Sequence, residues 1–300
     1  MNDEVVMGLW QRADLRVVAV VATRSAREAA RLHEAGLAAR VLLGEALAGA
    51  SLVGALQLQK AGAKVNLQLE CDGPLRGLFV EADAQGTVRG YAKNPACDIE
   101  GAPGPYRWRP ALGNSGFLSV LRDKGEGEYV RSSVELSAFE LSQDLERFFT
   151  ASEQVATTVG LCTRSVEGEP THTVAGVLAQ ALPGGDTAAL DRIRQRLREG
   201  ELLKAMEAEG DNPSPFNLVT RLCDDGADVE VTSRYPLSWS CPCSKDRVVR
   251  ALLTLGAAEL NDILQKEGKA EASCHFCNAQ YVVDADELRA LVSRLEGRPS

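Results

Sequence analysis

The sequence predicts an α+β protein with an N-terminal α+β domain at 1–183, a helical linker at 184–230 and a small C-terminal domain at 231–300. Three observations support this organisation. The first segment mixes alternating strand patterns with one long Ala/Leu helix. The second becomes acidic and helix-forming after a Pro-Gly-Gly-Asp stretch. The third holds two tight pairs of cysteines and few bulky apolar residues.

The composition is that of an ordinary globular protein, with 45% hydrophobic and 25% charged residues among 300. This length suffices for two domains, or for one large domain with a satellite. Because aromatic residues make up only 5%, we expect a core of aliphatic residues and alanine. The net charge of −9 argues against nucleic acid and anionic membranes as partners.

Neither a membrane span nor a secretion signal is predicted. The most apolar run, 41–58, is interrupted by Glu45 and three glycines, and we expect no stretch to reach the length of a span. The N-terminus is acidic and lacks a basic segment followed by an apolar one. We therefore expect a cytoplasmic protein. In a reducing cytosol, clustered cysteines are more often metal ligands or redox groups than permanent disulfides.

The first domain opens with a β-branched run at 15–23, which predicts a buried strand. Ser25 is expected to cap the next helix, and 37–60 predicts the long helix. Prolines at 94–113 predict an irregular loop, and a further helix is expected at 137–151. Alternating patterns predict seven more strands, at 64–70, 78–81, 87–91, 117–122, 128–136, 155–163 and 172–182.

The linker differs from its surroundings in charge. Residues 186–230 hold eleven acidic and six basic residues, with few large apolar ones. Leu190, Ile193 and Leu197 form a thin apolar stripe at helical spacing. We interpret the linker as marginally stable by itself, so that it must lean on another part of the protein. A permanently docked helical subdomain explains the same periodicity equally well.

The C-terminal domain carries nine basic and nine acidic residues, and its own core is expected to be thin. A structural metal would therefore supply much of its stability. The patterns predict two helices, a strand and a last helix capped by Asp284 or Asp286, at 245–255, 257–266, 280–283 and 288–295.

Half of the eight cysteines lie in two short motifs of this domain. Cys241 and Cys243 form a CxC motif, and Cys274 and Cys277 form a CxxC motif after 30 intervening residues. Four thiolates brought together in this way suit one tetrahedral Zn²⁺. Two structural disulfides, or thiols that merely pack, are the alternatives.

Such a zinc site has a second property, because metal-bound thiolates stay deprotonated and nucleophilic toward peroxide or hypochlorous acid. Both motifs are short enough to close internal disulfides, which would remove the ligands and release the ion. In small zinc modules the metal contributes on the order of 10 kcal/mol or more to folding. The site could therefore convert oxidation into unfolding of the domain.

No catalytic motif is present, neither G-x-S-x-G, nor a Walker loop, nor H-E-x-x-H, and we expect no enzyme. His33 and His172 are expected to face solvent. His275 lies inside the CxxC motif, but four thiolates already fill a tetrahedron and we do not expect it to bind the metal.

Four cysteines outside the two motifs have no assigned role. Cys71 and Cys162 end apolar strands and are expected to pack as small hydrophobic residues. Cys97 and Cys223 have no nearby basic cluster that would lower their pKa.

On the residues alone, two other functions stay open. A zinc module that binds nucleic acid fits the cysteine pairs, although the neutral domain and the negative total charge disfavour it. A thiol–disulfide oxidoreductase would need the CxxC motif to open a helix beside a βαβ sheet, and no such unit is predicted.

Motifs along nearly the whole chain resemble those of one family. They are DGPL at 72–75, GNSGFLSV at 113–120, FF at 148–149 with SEQ at 152–154, and the CPCS and CHFC sequences that hold the four cysteines. With these motifs in this order, the chain resembles the heat shock protein 33 family of redox-regulated molecular chaperones, also called the 33 kDa chaperonin family.

The resemblance implies an α+β domain, a helical linker that lies across it, and a C-terminal zinc-binding redox-switch domain. It implies that the reduced, zinc-bound protein is inactive as a chaperone. Oxidation would then form the disulfides Cys241–Cys243 and Cys274–Cys277, release zinc, and unfold the last domain and the linker. Exposed apolar surface would hold unfolding client proteins without ATP, often in a homodimer, and ATP-dependent foldases would take over the clients later.

Overall fold

The structure is a computed structural model that describes residues 3–58, 60–101, 107–125, 127–166, 169–223 and 228–297, without the side chains of 165–172. It forms two compact units, Met1–Ser240 and Cys241–Ser300. The predicted linker lies within the first unit, and so does the stretch 231–240, which the sequence had assigned to the last domain. The functional division at 183 and 230 stays a prediction.

The predicted α+β class is confirmed. In the described part of the first unit the strands are β1 (Glu4–Trp10), β2 (Leu15–Val21), β3 (Lys64–Cys71), β4 (Gly77–Asp83), β5 (Thr87–Ala92), β6 (Gly116–Asp123), β7 (Tyr129–Glu135), β8 (Thr157–Val166), β9 (Glu169–Ala181), β10 (Val229–Pro236) and β11 (Ser238–Trp239). The helices there are α1 (Thr23–Leu32), α2 (Leu37–Gln57), α3 (Arg109–Leu112), α4 (Leu141–Phe148), α5 (Thr187–Arg198), α6 (Glu201–Glu209) and α7 (Pro215–Leu222). A 3₁₀ turn spans Gln11–Ala13 and a π turn spans Phe149–Glu153.

The strands form two sheets. Sheet A has the order β10-β1-β2-β9-β8, and sheet B has the order β11-β5-β4-β3-β6-β7. All neighbours run antiparallel except β11 and β5, which form a short parallel pair. The sequence did not predict β1, although β1 lies between β2 and β10 inside sheet A.

Helix α2 packs against both sheets and forms the centre of the main core. Its apolar residues are buried on all sides, as expected for a helix without a polar face. Small residues allow the close approach: a Cβ added at Gly44 would lie 3.2 Å from Cγ2 of Val174 on β9. The helix ends at Gln57, three residues before the predicted end.

By length and composition alone, α2 would suit a membrane span, which corrects the prediction that no stretch has that length. The mean hydropathy of its best window is 1.5, and 89% of that window is buried inside the protein. A buried core helix passes the same test, so one such helix is weak evidence for a membrane protein.

Helices α5, α6 and α7 cover the outer face of sheet A and form a second core with it. The predicted apolar stripe is thus an interface: Leu190 and Ile193 are buried, and Leu197 packs at its edge. The other buried members of this interface include Leu202, Met206, Leu218, Val219 and Leu222 from the helices and Val17, Val21 and Val177 from the sheet. The structure therefore shows the linker docked.

Helix α1 begins at Thr23, so the prediction that Ser25 caps it is wrong. The cap comes from Asp3 instead, whose carboxylate accepts the backbone N–H groups of Arg24 at 2.8 Å and Ser25 at 2.7 Å. A carboxylate at this position also interacts favourably with the helix dipole.

Helix α4 begins at Leu141, four residues after the predicted start. The carboxylate of Asp144 accepts the N–H groups of Ser137 at 2.9 Å and Ala138 at 3.1 Å, which holds these residues in a turn ahead of the helix. Sequence-predicted features that fall outside the described residues include Pro103 and Pro105 of the irregular loop, Glu126 of the hairpin turn, Glu167 and Gly168 of the later turn, and the side chain of His172.

The second unit contains α8 (Lys245–Leu253), α9 (Ala257–Lys266), β12 (Ala270–Ser273), β13 (Gln280–Val283) and α10 (Ala285–Glu296). Of the two predicted caps, Asp284 is the residue that caps α10. Its carboxylate accepts the N–H of Glu287 at 2.9 Å, and the Glu287 carboxylate accepts the N–H of Asp284 at 3.0 Å, which completes a capping box. Strand β12 was not predicted, and it forms a hairpin with β13.

Candidate metal centre

The CxC motif lies immediately before α8. Ser244 is the N-cap of that helix, and its hydroxyl accepts the N–H of Arg247 at 3.3 Å. Cys243 is thus placed one residue before the cap.

The CxxC motif forms the tip of the β12–β13 hairpin, whose last register pair is Ser273 with Gln280. The N–H of Cys274 donates to the carbonyl of Ala279 at 2.9 Å, and the N–H of Asn278 donates to the carbonyl of Cys274 at 2.8 Å. Asn278 adopts the left-handed conformation with φ of 58°, which asparagine tolerates better than most residues. These bonds fix the turn from which both thiols project.

The structure brings all four predicted cysteines together, with every Sγ within 4.8 Å of the others. The Sγ atoms of Cys243 and Cys277 are 3.1 Å apart, and those of Cys241 and Cys274 are 3.6 Å apart. A tetrahedral Zn²⁺ with Zn–S bonds of about 2.3 Å holds its sulfurs about 3.8 Å apart. Four half-buried thiols at these separations fit a single zinc site.

The protonation of these thiols depends on the metal. Without a cation, burial and then a hydrogen bond shared with Cys243 raise the pKa of Cys277 above its ordinary value. A bound Zn²⁺ reverses this effect, because its charge favours the thiolate. Zinc binding should therefore release protons from the cluster.

Tyr281 contacts the cluster and was not predicted from the sequence. Its hydroxyl lies 3.0 Å from Sγ of Cys243 and donates to it. This hydrogen bond is the largest cause that raises the pKa of Tyr281 to about 12, so the hydroxyl keeps its proton at neutral pH. Hydrogen bonds from outside the ligand set orient metal ligands and tune their reactivity.

The core around this site is small, as predicted. Helix α8 contributes no fully buried residue. An ion pair between Lys245 and Glu287 of 2.6 Å links its first turn to the capping box of α10. The fully buried apolar side chains of the described second unit are Leu260, Ala270, Val283, Leu288, Leu291 and Val292.

The remaining cysteines lie outside this cluster. Cys71 and Cys162 pack against the two apolar cores of the first unit, as predicted. Burial raises the pKa of Cys71 to about 11 and that of Cys162 to about 12, so both are thiols at neutral pH and react slowly. Within the described ranges, neither these cysteines nor His275 belong to a second group of three or more potential metal ligands.

The position of the CxxC motif bears on the oxidoreductase alternative. Redox-active CxxC motifs of the thioredoxin type open a helix beside a βαβ sheet. Here the motif turns a two-stranded hairpin, and no helix begins until Ala285. This geometry differs from that of a thioredoxin-type motif and fits a metal-binding knuckle.

Comparisons with known proteins agree with this arrangement. The family model described as Hsp33 protein matches residues 3–284. The chain is 36% identical over 292 residues to the 33 kDa chaperonin of Pelobacter propionicus, which covers 97% of this chain and 94% of that protein. It is 35% identical over 295 residues to the 33 kDa chaperonin of Geobacillus kaustophilus, with 97% and 98% covered.

Among solved structures, the fold is similar to the 33 kDa chaperonin, a heat shock protein 33 homologue, of Thermotoga maritima. The TM-score is 0.83 at 26% sequence identity, and the match covers 98% of this chain and 99% of that one. Since the family model spans nearly the whole sequence and the relatives exceed 30% identity over almost their full length, the chain belongs to the Hsp33 family of chaperones.

Proposed function

We propose that the protein is a redox-regulated, ATP-independent holdase that is inactive while reduced and zinc-bound. The observation that carries this proposal is the convergence of Cys241, Cys243, Cys274 and Cys277 within 4.8 Å in a unit with a small core. The same thiolates would hold Zn²⁺ and sense the oxidant. When bound, the ion supplies folding free energy that the apolar core of this unit is too small to provide.

Activation requires two oxidation steps of two electrons each. One hydrogen peroxide molecule takes two electrons from a pair of thiolates and, with two protons from solvent, becomes two water molecules as one disulfide forms. A second equivalent closes the other pair. Sulfurs in disulfides are no longer anionic ligands, so Zn²⁺ leaves with its folding energy.

The proposed pairs are Cys241–Cys243 and Cys274–Cys277, as the family resemblance implies. The shortest sulfur separations in the structure instead join cysteines of different motifs. A tetrahedral ligand set places all sulfurs at similar separations, so proximity in the assembled site does not select the partners. Once the first bond has released the metal, short chain separation favours closure within each motif.

Loss of the second unit's fold would then release the linker. In sequence, 223–240 separates the end of α7 from the CxC motif, and this segment holds the edge strands β10 and β11. Unfolding would reach α5–α7 by first detaching these edge strands from their sheets. Release of α5–α7 would expose their buried residues and the outer face of sheet A, which is lined by Val17, Val21 and Val177. This apolar surface is the proposed binding site for unfolded client proteins.

The test is suppression of aggregation of a heat-unfolding client by reduced and by peroxide-oxidised protein. Zinc content and free thiols are measured in the same samples. We expect activity only after oxidation, together with loss of one zinc ion and four thiols. Equal activity in both states would contradict the switch, and no activity in either would contradict the holdase function.

The same proposal extends to partners and location. We propose that the protein works in the cytoplasm, that the oxidised form is a homodimer, and that ATP-dependent foldases receive its clients. Size-exclusion chromatography of both redox states tests the dimer, and refolding of a bound client enzyme with and without an ATP-dependent foldase tests the transfer.

A further inference from the structure

We infer that the docked linker is held on the first unit by a two-point polar clamp. One point joins Arg194 to Glu146, and the other joins Arg164 to Gly210 and Asp211. The clamp sets how readily α5–α7 leave sheet A. This inference rests on the proposed function, in which the linker is docked in the inactive state and released in the active one.

The first point is a cation of the linker in a polar recess of the N-terminal α+β domain, which is called the chaperone domain below. Nε of Arg194, on α5, lies 3.5 Å from Oε2 of Glu146 on α4. The guanidinium also donates to the carbonyl of Thr157 on β8 at 3.2 Å. The two side chains are only 25% and 16% exposed, so water screens this pair less than an ordinary surface pair.

The acceptor of this pair is fixed in place without Arg194. Oε1 of Glu146 accepts the hydroxyl of Thr158 at 2.5 Å and the N–H of Val159 at 2.9 Å. These donors belong to the chaperone domain, so the carboxylate keeps its position when the linker leaves. Only the arginine has to be ordered on docking, which lowers the entropic cost of the contact.

The second point has the opposite polarity, with the cation on the chaperone domain. Arg164 of β8 donates to the carbonyl of Gly210 at 3.0 Å and to the carboxylate of Asp211 at 2.7 Å. Both acceptors lie in the turn between α6 and α7. Arg164 is only 14% exposed, whereas Asp211 is 91% exposed, so water screens the contact with the carboxylate more than the part-buried bond to the carbonyl.

The two points hold different parts of the linker and differ in polarity. The apolar contacts under α5–α7 are not directional and would tolerate sliding of the helices. Charge-assisted hydrogen bonds are directional and place α5 and the α6–α7 turn each at one position. Each bond of this kind changes an equilibrium by about tenfold to a hundredfold.

The main test compares Arg194→Gln with Lys204→Gln in the full-length, reduced, zinc-loaded protein. Both substitutions remove one positive charge that pairs with a carboxylate three residues earlier on its own helix, Asp191 for Arg194 and Glu201 for Lys204. Arg194 additionally reaches Glu146, whereas Lys204 is 62% exposed. We expect hydrogen exchange of the α5–α7 amides to accelerate about tenfold or more in Arg194→Gln and to stay unchanged in Lys204→Gln. Exchange in α2 should be the same in both. Equal exchange of α5–α7 in the two variants would overturn the first point.

A double-mutant cycle with Glu146→Gln tests whether the carboxylate is the partner. If it is, the effects of Arg194→Gln and Glu146→Gln on exchange are not additive, and full additivity would contradict the pairing. For the second point, Arg164→Glu should release the α6–α7 turn, whereas Arg164→Lys, which can still donate to the Gly210 carbonyl, should keep part of its protection. Unchanged exchange of the turn in Arg164→Glu would overturn that point.

Aggregation assays on the same variants separate this inference from the proposed function. Reduced Arg194→Gln should show part of the activity of the oxidised wild type while still holding zinc. If the oxidised wild type is inactive, the proposed function fails, and the exchange data alone decide on the clamp. If the wild type switches and Arg194→Gln exchanges like Lys204→Gln, the clamp fails alone.

Discussion

Replacing Tyr281 by phenylalanine removes one hydroxyl from the edge of the candidate metal centre and keeps the shape of the ring. The hydroxyl donates to Sγ of Cys243 at 3.0 Å. A donor at this distance stabilises a thiolate more than a thiol, because the acceptor carries a full charge. The variant should therefore bind Zn²⁺ more weakly, and its Cys243 should react faster with peroxide.

The expected loss of zinc affinity depends on how exposed the hydrogen bond between Tyr281 and Cys243 is to water. Loss of a hydrogen bond to a metal ligand typically lowers metal affinity 10- to 100-fold. Tyr281 is half-exposed, so water replaces part of the lost bond in the variant. We therefore expect an effect near the lower limit, about a tenfold loss of zinc affinity.

The affinity is measured by competition with a chromophoric chelator, with all thiols reduced and the pH held constant. Tyr129→Phe is the matched control, since Tyr129 is 63% exposed on β7 and belongs to the first unit. Zinc release after peroxide addition is followed in the same samples and should be faster in Tyr281→Phe. Equal zinc affinities for Tyr281→Phe and Tyr129→Phe would refute the reasoning.

Three further predictions concern the metal, the core and the linker. Cys274→Ser should lose tight zinc binding and the hydrogen-exchange protection of 241–297, while α2 stays protected; unchanged protection after zinc loss would contradict the metal's structural role. Burial, and then the charge of Glu140, raise the pKa of Glu45 well above its usual 4.5. A raised pKa in the folded state stabilises the protein fully below the unfolded-state value, and this contribution is lost as the pH rises toward the folded-state pKa. The free energy of unfolding should thus fall more steeply above about pH 4.5 in the wild type than in Glu45→Gln, and equal pH slopes in urea titrations would contradict this. Met206 belongs to α6 and is fully buried, so Met206→Ala should lower the free energy of unfolding by about 2–5 kcal/mol and accelerate hydrogen exchange in α5–α7. Leu203→Ala, at a position of the same helix that is 37% exposed, should have little effect, and equal acceleration in both variants would argue against a packed linker.

The parts of the fold that were predicted depend on local pattern. The Ala/Leu run of α2 has no polar face, so its burial follows from composition wherever it packs. The CxC and CxxC spacings predict a four-thiolate site because each pair is short enough to bind one ion from one turn of chain. Asp284 was a candidate cap because an acidic residue preceded an apolar stripe at helical spacing.

The parts that were missed depend on contacts between distant segments. Tyr281 reaches Cys243 only because the β12–β13 register and the start of α8 bring these residues together across 38 positions of sequence. Asp3 caps α1 across 21 and 22 positions, so the local serine was a misleading signal. Arg194 is one of four arginines at alternate positions on one helix, and no pattern distinguishes the one that meets Glu146.

The difference between the cores of the two units explains how metal loss could unfold one unit and leave the other folded. In the second unit, the described core rests on a few fully buried side chains, and α8 contributes none of them. In the first unit, α2 packs against both sheets, and this core contains no candidate metal ligand set among the described residues. If Zn²⁺ binds the four cysteines as proposed, its removal would take away a dominant share of stability in the second unit and nothing in the first. We expect the linker to be intermediate in stability between the two units, because it packs on a stable sheet through a thin apolar stripe and few polar contacts. A switch needs such a segment, since a more stable one would stay docked after oxidation and a less stable one would leave before it.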